Sequence, residues 1–392
     1  MADDLPDKVD VAILGGGLAG LWLAHRLADH ADVLLVDDRH RVNSCLSSSL
    51  GIAAVGQGDN PARLAAALGK DRSEDLWRWS RRAVSLLEGL CNELGIPVSE
   101  EPVLRFALDV HEEEELRRTA ALISEWESSA SVRIVESGTV RAGGLGDAFR
   151  LAICVEGDAV VPLAGLGREL SRRLTTRVAT ATGRAVVGNA SLDGVVIEVE
   201  GVPVVAELVV ICSGAAAGAA HPAFGDLVFP VRVHASRIQP GSALGHSGEF
   251  RRGAGLARHR FEAWTWRADG GLDFAGCRWA EGPEMGAGDS DVSTLNPAVL
   301  AAHDAYVERH LGLVGSNSEV ARRTCGVTAY TCDGLPLVGP LLGAPRVLAM
   351  LGWGGWGLSA IGAAVEDLTF ALLGRPDAPA SPRDLLGPRR ML

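Results

Sequence analysis

The residues best suited to chemistry open the chain. Gly15-Gly16-Gly17-Leu18-Ala19-Gly20 follow the short apolar run at residues 9–14, a GxGxxG spacing at the end of an expected buried strand. Gly15 permits a tight turn, Gly17 lets backbone approach a pyrophosphate, and Gly20 lets the following helix pack close to the strand. Leu18, Leu21, Ala24, Leu27 and Ala28 then recur at helical spacing. The free N–H groups at the start of that helix attract phosphate. A second apolar run, residues 33–36, ends at Asp37, which can accept from ribose hydroxyls and would repel a 2′-phosphate. A lone GxGxxG is a weak signal. With strand, helix, second strand and acid in register it reads as a dinucleotide site.

The rest of the chain must position that site. Its 392 residues suffice for two or three domains, and 47% hydrophobic against 22% charged residues is a globular balance that excludes a long disordered protein. A formal charge of −12 argues against a nucleic-acid partner. Seven cysteines, odd in number and without a CxxC, argue against a disulfide scaffold or a zinc site, so no metal is expected. The start MADDLPDKVD is acidic and polar, unlike a signal peptide. No apolar stretch reaches the roughly 18 unbroken residues of a spanning helix. The expectation is a soluble, cytoplasmic protein with no membrane span.

A serine-rich loop, Asn43-Ser44-Cys45-Leu46-Ser47-Ser48-Ser49-Leu50-Gly51-Ile52, follows the second strand. Its small hydroxyls can run close to a flat ring and donate hydrogen bonds to it. From this loop onward the sequence resembles the FAD-dependent oxidoreductases of the D-amino-acid-oxidase superfamily, which includes glycine oxidase and sarcosine oxidase. Residues 162–174 resemble that family's "PxxLxxxL" helix, residues 184–187 the strand that meets adenine, and residues 207–215 its "vVxAtGa" strand and turn. Residues 229–234 resemble "PvrGq", with Val233 and His234 in place of Gly and Gln. The stretch from Cys325 to Pro340 resembles "WxGxRPxTpDGxPxiGP". Gly352-Trp353-Gly354-Gly355-Trp356-Gly357-Leu358 resembles "GhxGhGl", expected to open a helix over residues 358–373.

The resemblance implies an α/β fold: a Rossmann-type, GR2-like FAD-binding domain with an inserted α+β substrate domain on an antiparallel sheet. The implied FAD domain is discontinuous, at 1–100, 140–225 and 325–392, and the substrate domain takes 101–139 and 226–324. Antiparallel strands are expected at 231–238, 260–266 and 272–279. Residues 281–293 read as a mobile loop, and Glu112 to Glu115 as a solvated helix face. Cofactor contacts are expected from Gly15, Gly17, Leu18, Ala19, Gly20, Asp37, Asp38, Arg39, Ser44, Ser47, Ser48, Gly51, Val186 and Gly214. Further contacts are expected from Gly334, Gly352, Gly354, Gly355, Trp356, Gly357 and Leu358. The serine-rich loop carries no His for a covalent bond to flavin. FAD is expected without a covalent link, with Cys325 or Cys332 as the attachment point if one forms.

In such an enzyme the cofactor accepts the electrons, and the protein holds the substrate and stabilises charge. The expected function is oxidation of a C–N bond of an amine or amino acid, with hydride passing to flavin N5 and an imine as product. Oxygen or another electron acceptor would complete the cycle. His234, Arg278, Tyr330, Trp353 and Trp356 are the catalytic candidates, and Trp264, Trp266, Trp279 and Thr328 the substrate-binding ones. Five of the nine tryptophans fall in these regions, which suggests an aromatic pocket. Thr328 stands where the resemblance would place a carboxylate-binding Arg, so a substrate larger or more aromatic than glycine is expected. Residues 272–276 lack the Lys that helps oxygen react in sarcosine-oxidase relatives. The alternatives are a flavin-dependent monooxygenase or tailoring enzyme acting on a metabolite or protein residue, and a flavin-binding subunit of a hetero-oligomeric oxidase.

Overall fold

The computed structural model describes residues 5–38, 49–128, 131–143, 145, 148–190, 193–240, 249–313, 318–375, 377 and 379–391. Two eight-stranded sheets organise them. The first is built around Lys8–Leu14, which pairs in parallel with Val33–Asp37 on one side and Val202–Ile211 on the other. Ala179–Thr182 extends the sheet beyond Val33–Asp37, and Ala344–Leu351 then Leu337–Leu341 extend it beyond Val202–Ile211. The antiparallel strands Val195–Val199 and Ala185–Ala190 add to the same edge. Strand alternation sends Val11 and Ile13 into one core and Ala12 and Leu14 into another, so the strand is buried on both faces.

Helices Leu18–Leu27, Lys70–Leu94, Leu163–Leu174 and Ile361–Leu372 close the first of these cores. The 25-residue helix is held by a stripe that includes Leu76, Ala83, Leu87, Leu90 and Leu94. Trp79 Nε1 donates to Asp367 Oδ2 at 2.9 Å and ties it to the C-terminal helix.

The second sheet runs Ser318–Tyr330, Phe229–Pro240, Leu272–Ala275, Glu262–Trp266, Ala254–Ala257, Val103–Ala107, Leu151–Val155 and Val132–Glu136. All neighbours are antiparallel except Ala254–Ala257 with Val103–Ala107. That parallel pairing joins three strands from residues 103–155 to strands made far along the chain. Helix Pro297–Leu311 covers one face over Trp264, Leu272 and Phe274. The other face looks toward the first sheet, and a small apolar cluster of Ala54, Val103, Ala254 and Leu256 fills the junction.

Four expectations need correction. Strand Leu151–Val155 falls within the stretch 140–225 expected in the first domain, yet it pairs into the second sheet on both sides. The strand expected over 272–279 stops at Ala275, because Gly276 (φ +143) and Cys277 (φ +54) turn the chain into the 3-10 turn Arg278–Glu281. The helix expected from residue 358 begins at Ile361. A 3-10 turn, Gly357–Ser359, precedes it, and Ala360 at φ −136 breaks the two apart. Glu112 and Glu115 are not solvated. Glu112 accepts from Leu108 N and His259 N at 2.7 and 2.9 Å, and Glu115 from Asn60 Nδ2 and His259 Nδ1 at 2.7 and 2.8 Å.

Candidate active site

At the nucleotide end each glycine has a measurable reason. A Cβ on Gly20 would lie 1.9 Å from the Gly15 carbonyl oxygen, and one on Gly15 would lie 2.6 Å from the Cys212 backbone. The first turn, the helix and Val202–Ile211 are therefore in backbone contact. Among the described residues a Cβ on Gly17 would meet nothing within 4 Å, and the same holds at Gly214. Helix Leu18–Leu27 starts at Gly17 with no side-chain cap among the described residues, which leaves its first N–H groups available to an anion. Gly16 N donates to Asp37 Oδ1 at 3.0 Å, which fixes the acid beside the turn. The hydroxyl of Ser213, next to Gly214, is buried with no partner among the described residues. A cradle with free donors, an acid beside it and an orphaned hydroxyl fits the diphosphate and ribose of a dinucleotide.

At the opposite end, mid-sheet positions of four strands of the second sheet alternate, although Thr265 between Trp264 and Trp266 is also buried. His234, Ser236, Glu262, Trp264, Phe274 and Cys325 are buried, whereas Val233, Ala235, Ala263, Ala275, Thr324 and Gly326 are half-exposed in mid-sheet. The half-exposed set lines the face turned toward the first sheet, and most of it is small. The loop 352–357 packs at its edge. Thr328 Oγ1 donates to the Gly354 carbonyl, Gly354 N donates to Ala329 O at 2.8 Å, and the Tyr330 ring lies 3.1 Å from where a Gly354 Cβ would sit. The Arg278 guanidinium stands 5.4 Å from the centroids of both Phe261 and Tyr330, and Tyr330 stacks on Phe229 at 6.4 Å.

Residues 10–369 match the family described as "DAO: FAD dependent oxidoreductase". The chain belongs to that family. No curated protein matches it. Among solved structures it is similar to glycine oxidase from Geobacillus kaustophilus, with TM-score 0.75 and 20% identity over 97% of this chain and 98% of that one. It is also similar to L-proline dehydrogenase from P. horikoshii, with TM-score 0.77 and 17% identity over 99% and 98%. L-alpha-glycerophosphate oxidase from Mycoplasma pneumoniae, a structure with FAD bound, gives TM-score 0.74 and 16% identity over 95% and 98%. These likenesses establish the fold, and the family establishes FAD as the cofactor. The nucleotide end described above fits it.

Within this FAD-dependent oxidoreductase the expected site residues divide. Gly15, Gly17, Leu18, Ala19, Gly20, Asp37 and Asp38 cluster at the nucleotide turn with Gly214. Val186 pairs only through Glu198 on its strand's inner side. Arg39, Ser44, Ser47 and Ser48 lie outside the described residues. Gly51 has a different job: a Cβ there would be 2.2 Å from Val161 O, so its absence lets strands Ile52–Ala53 and Ala159–Val160 meet. Gly334 lies beside Gly58, whose Cβ would be 3.5 Å from its carbonyl oxygen, and Trp356 reaches the same point. Gly352 packs on Thr331, Gly357 on Trp353, and Leu358 is core.

Several substrate candidates face the wrong way. His234 lies under the helix-covered face, where its Nε2 accepts from Asn296 N at 3.0 Å and burial lowers its pKa. Trp264 and Trp266 are core on that face, and Trp264 stacks on Phe106 at 5.4 Å. Trp279 is 48% exposed and donates to Glu262 Oε1 at 3.1 Å, away from Tyr330. Alternation put Trp264 and Trp266 together, but on the core side, because bulky rings fill the space under the helix. Trp353 packs against the first core. The Thr328 hydroxyl is already engaged by Gly354, so it joins sheet to loop. Cys325 donates to the Val292 carbonyl at 3.3 Å on the helix-covered side, which removes it as an attachment point, and Cys332 is exposed.

Four residues were missed. Gln57 is fully buried with neither amide atom partnered. Arg105 and Asp158 form a buried ion pair at 2.8 Å that also holds Val55, through Arg105 Nη2 to Val55 O and Val55 N to Asp158 Oδ1. Arg260 is buried against the same loop. Isolated polar residues in non-periodic segments gave no signal for any of them.

Among the described residues no helix is long and apolar enough to cross a membrane, and no group of acids, His and Cys could hold a metal ion.

Proposed function

We propose that this chain oxidises the C–N bond of a carboxylate-bearing amine, an amino acid with a side chain larger than that of glycine, to an imine. Bound FAD supplies the two-electron acceptor. The observation carrying this reading is Arg278, a half-buried guanidinium between Phe261 and Tyr330, the ring that also packs on Gly354. Its one polar contact among the described residues is a long one, 3.5 Å to Met285 O, so its fork is available for bidentate binding of a carboxylate. The small residues of the facing sheet, Ala235, Ala263, Ala275 and Gly326, leave room for a bulky side chain.

Among the described residues no carboxylate on that face is free to act as a base. Asp273 is held by Arg237 at 2.7 Å and Arg267 at 3.0 Å. The residues described therefore bind and orient an amine that arrives neutral, and Tyr330 supplies an aromatic wall.

Anaerobic mixing with amines and amino acids tests the reading. Bleaching of the flavin by large amino acids, and little by glycine, is expected. Arg278→Met should raise KM for amino acids at least tenfold and leave the matching decarboxylated amines unaffected. Bleaching only by NAD(P)H would favour the monooxygenase instead, and reduction only with a co-purifying chain the subunit of a complex.

A further inference from the structure

The turn between strands Ala254–Ala257 and Glu262–Trp266 contains three consecutive non-glycine residues in the left-handed region: Arg258, His259 and Arg260, at φ +50, +55 and +71. L-residues disfavour this conformation, and a run of three persists only where the surroundings impose it. Each side chain is held. Arg258 approaches Glu262 Oε2 at 3.6 Å, His259 bonds Glu115, and Arg260 enters the junction between the two sheets.

Arg260 has no ion-pair partner among the described residues, although it is only 3% exposed. Its Nη1 donates to Gly56 O at 3.1 Å and Asp59 O at 3.2 Å, and its Nη2 to Ala54 O at 3.0 Å. Its guanidinium lies 4.0 Å from the centroid of the Trp356 ring. Burial lowers its pKa to about 9. A buried cation without a carboxylate is costly as mere packing, and an apolar residue would fill the space more cheaply. What this one does is geometric. A single planar group fixes three carbonyls of the 54–59 loop and the aromatic ring of the 352–357 loop. Ser359 Oγ reaches the same Gly56 carbonyl at 3.4 Å, and Gly58 meets Trp356 and Gly334.

We propose that Arg260 is a positioning residue for the cofactor, clamping the 54–59 loop and Trp356 into one wall against which the flavin ring is held. This rests on the family's FAD and on the contacts that the resemblance implies between its ring and the 352–357 loop. A lysine cannot replace the fork, because three carbonyls in different directions need several donors in one plane.

The test uses the full-length holoprotein. Arg260→Met keeps the alkyl stem and removes fork and charge, and Arg260→Lys keeps the charge alone. FAD dissociation constants and the shape of the visible flavin band are measured for both, with circular dichroism as the folding control. Arg260→Met is expected to fold, to bind FAD at least tenfold more weakly, and to show an altered band. Arg260→Lys should recover part of the affinity. FAD affinity within twofold of the parent and an unchanged band in Arg260→Met would overturn the proposal, whatever happens to its melting temperature. If Arg260→Met does not fold, Arg260→Lys decides: a fivefold or greater loss of affinity supports the clamp, and anything smaller overturns it. These readouts need no substrate, so failure of every amine to bleach the flavin defeats the C–N reading and leaves this one to be judged separately.

Discussion

Gly17→Ala separates cofactor binding from folding. Gly17 has φ −70 and ψ 179, open to any residue, and its added methyl would meet no atom of the described residues within 4 Å. The apoprotein should therefore lose only the cap preference, about 1 kcal/mol or less. The cost falls on the diphosphate. Its oxygens approach helix N–H groups to about 2.9 Å, whereas a methyl carbon keeps its neighbours at about 3.5 Å or more. Losing two charge-assisted hydrogen bonds at about 1.5 kcal/mol each costs about 3 kcal/mol. That corresponds to roughly a hundredfold weaker FAD binding. The assay is titration of apoprotein with FAD, followed by protein fluorescence, together with thermal unfolding with and without FAD. The variant should unfold near the parent without FAD and gain much less from its addition. Gly20→Ala is the control: its methyl would sit 1.9 Å from Gly15 O, so the apoprotein itself should be destabilised. Gly17→Ala binding FAD within about threefold of the parent would refute the assignment of this cradle to the diphosphate.

Other perturbations have equally definite outcomes. Asp158→Asn leaves Arg105, 1% exposed at its side chain, without its counter-charge, and denaturant unfolding should show a loss of about 3–5 kcal/mol. The double variant Arg105→Met, Asp158→Leu should recover most of that, and no recovery would contradict the desolvation reasoning. Trp264→Ala should cost about 3–5 kcal/mol of stability and leave substrate KM unchanged. A changed KM at parental stability would return Trp264 to the pocket. Burial pushes the Glu262 carboxyl up to about 7. An unfolded Glu titrates near 4.3, so the folded state holds its proton longer, and stability is greatest below that value. It should fall as pH rises from about 4.3 to about 7, by about 4 kcal/mol. Glu262→Gln should flatten that fall, and a variant with the parent's pH profile would assign the dependence elsewhere.

The first βαβ unit was legible because its determinants are consecutive. Strand run, three glycines, helix and Asp37 lie within thirty residues, and backbone sterics alone require the glycines at those places. The helix at 163–174 and the end of strand Val202–Ile211 were legible through the family resemblance, and the strand Phe229–Pro240 was read over 231–238. The small-residue loop at 352–357 was recognisable as a close contact, although its partners, Tyr330 and Thr328, became known only from the fold. Period-two alternation stated that Trp264 and Trp266 share a face, but it carries no sign. Helix Pro297–Leu311 chose the side, by covering the face that held the large rings. The same cover reversed His234 and Cys325 and left Arg278 and Tyr330 on the open side. The strand Leu151–Val155 joined the second sheet through partners at 103–107 and 132–136, a pairing that no single segment encodes. Arg260 was invisible in the sequence for a related reason. A guanidinium becomes a clamp only when carbonyls two hundred residues away converge on it, and that convergence is decided by how the two sheets pack.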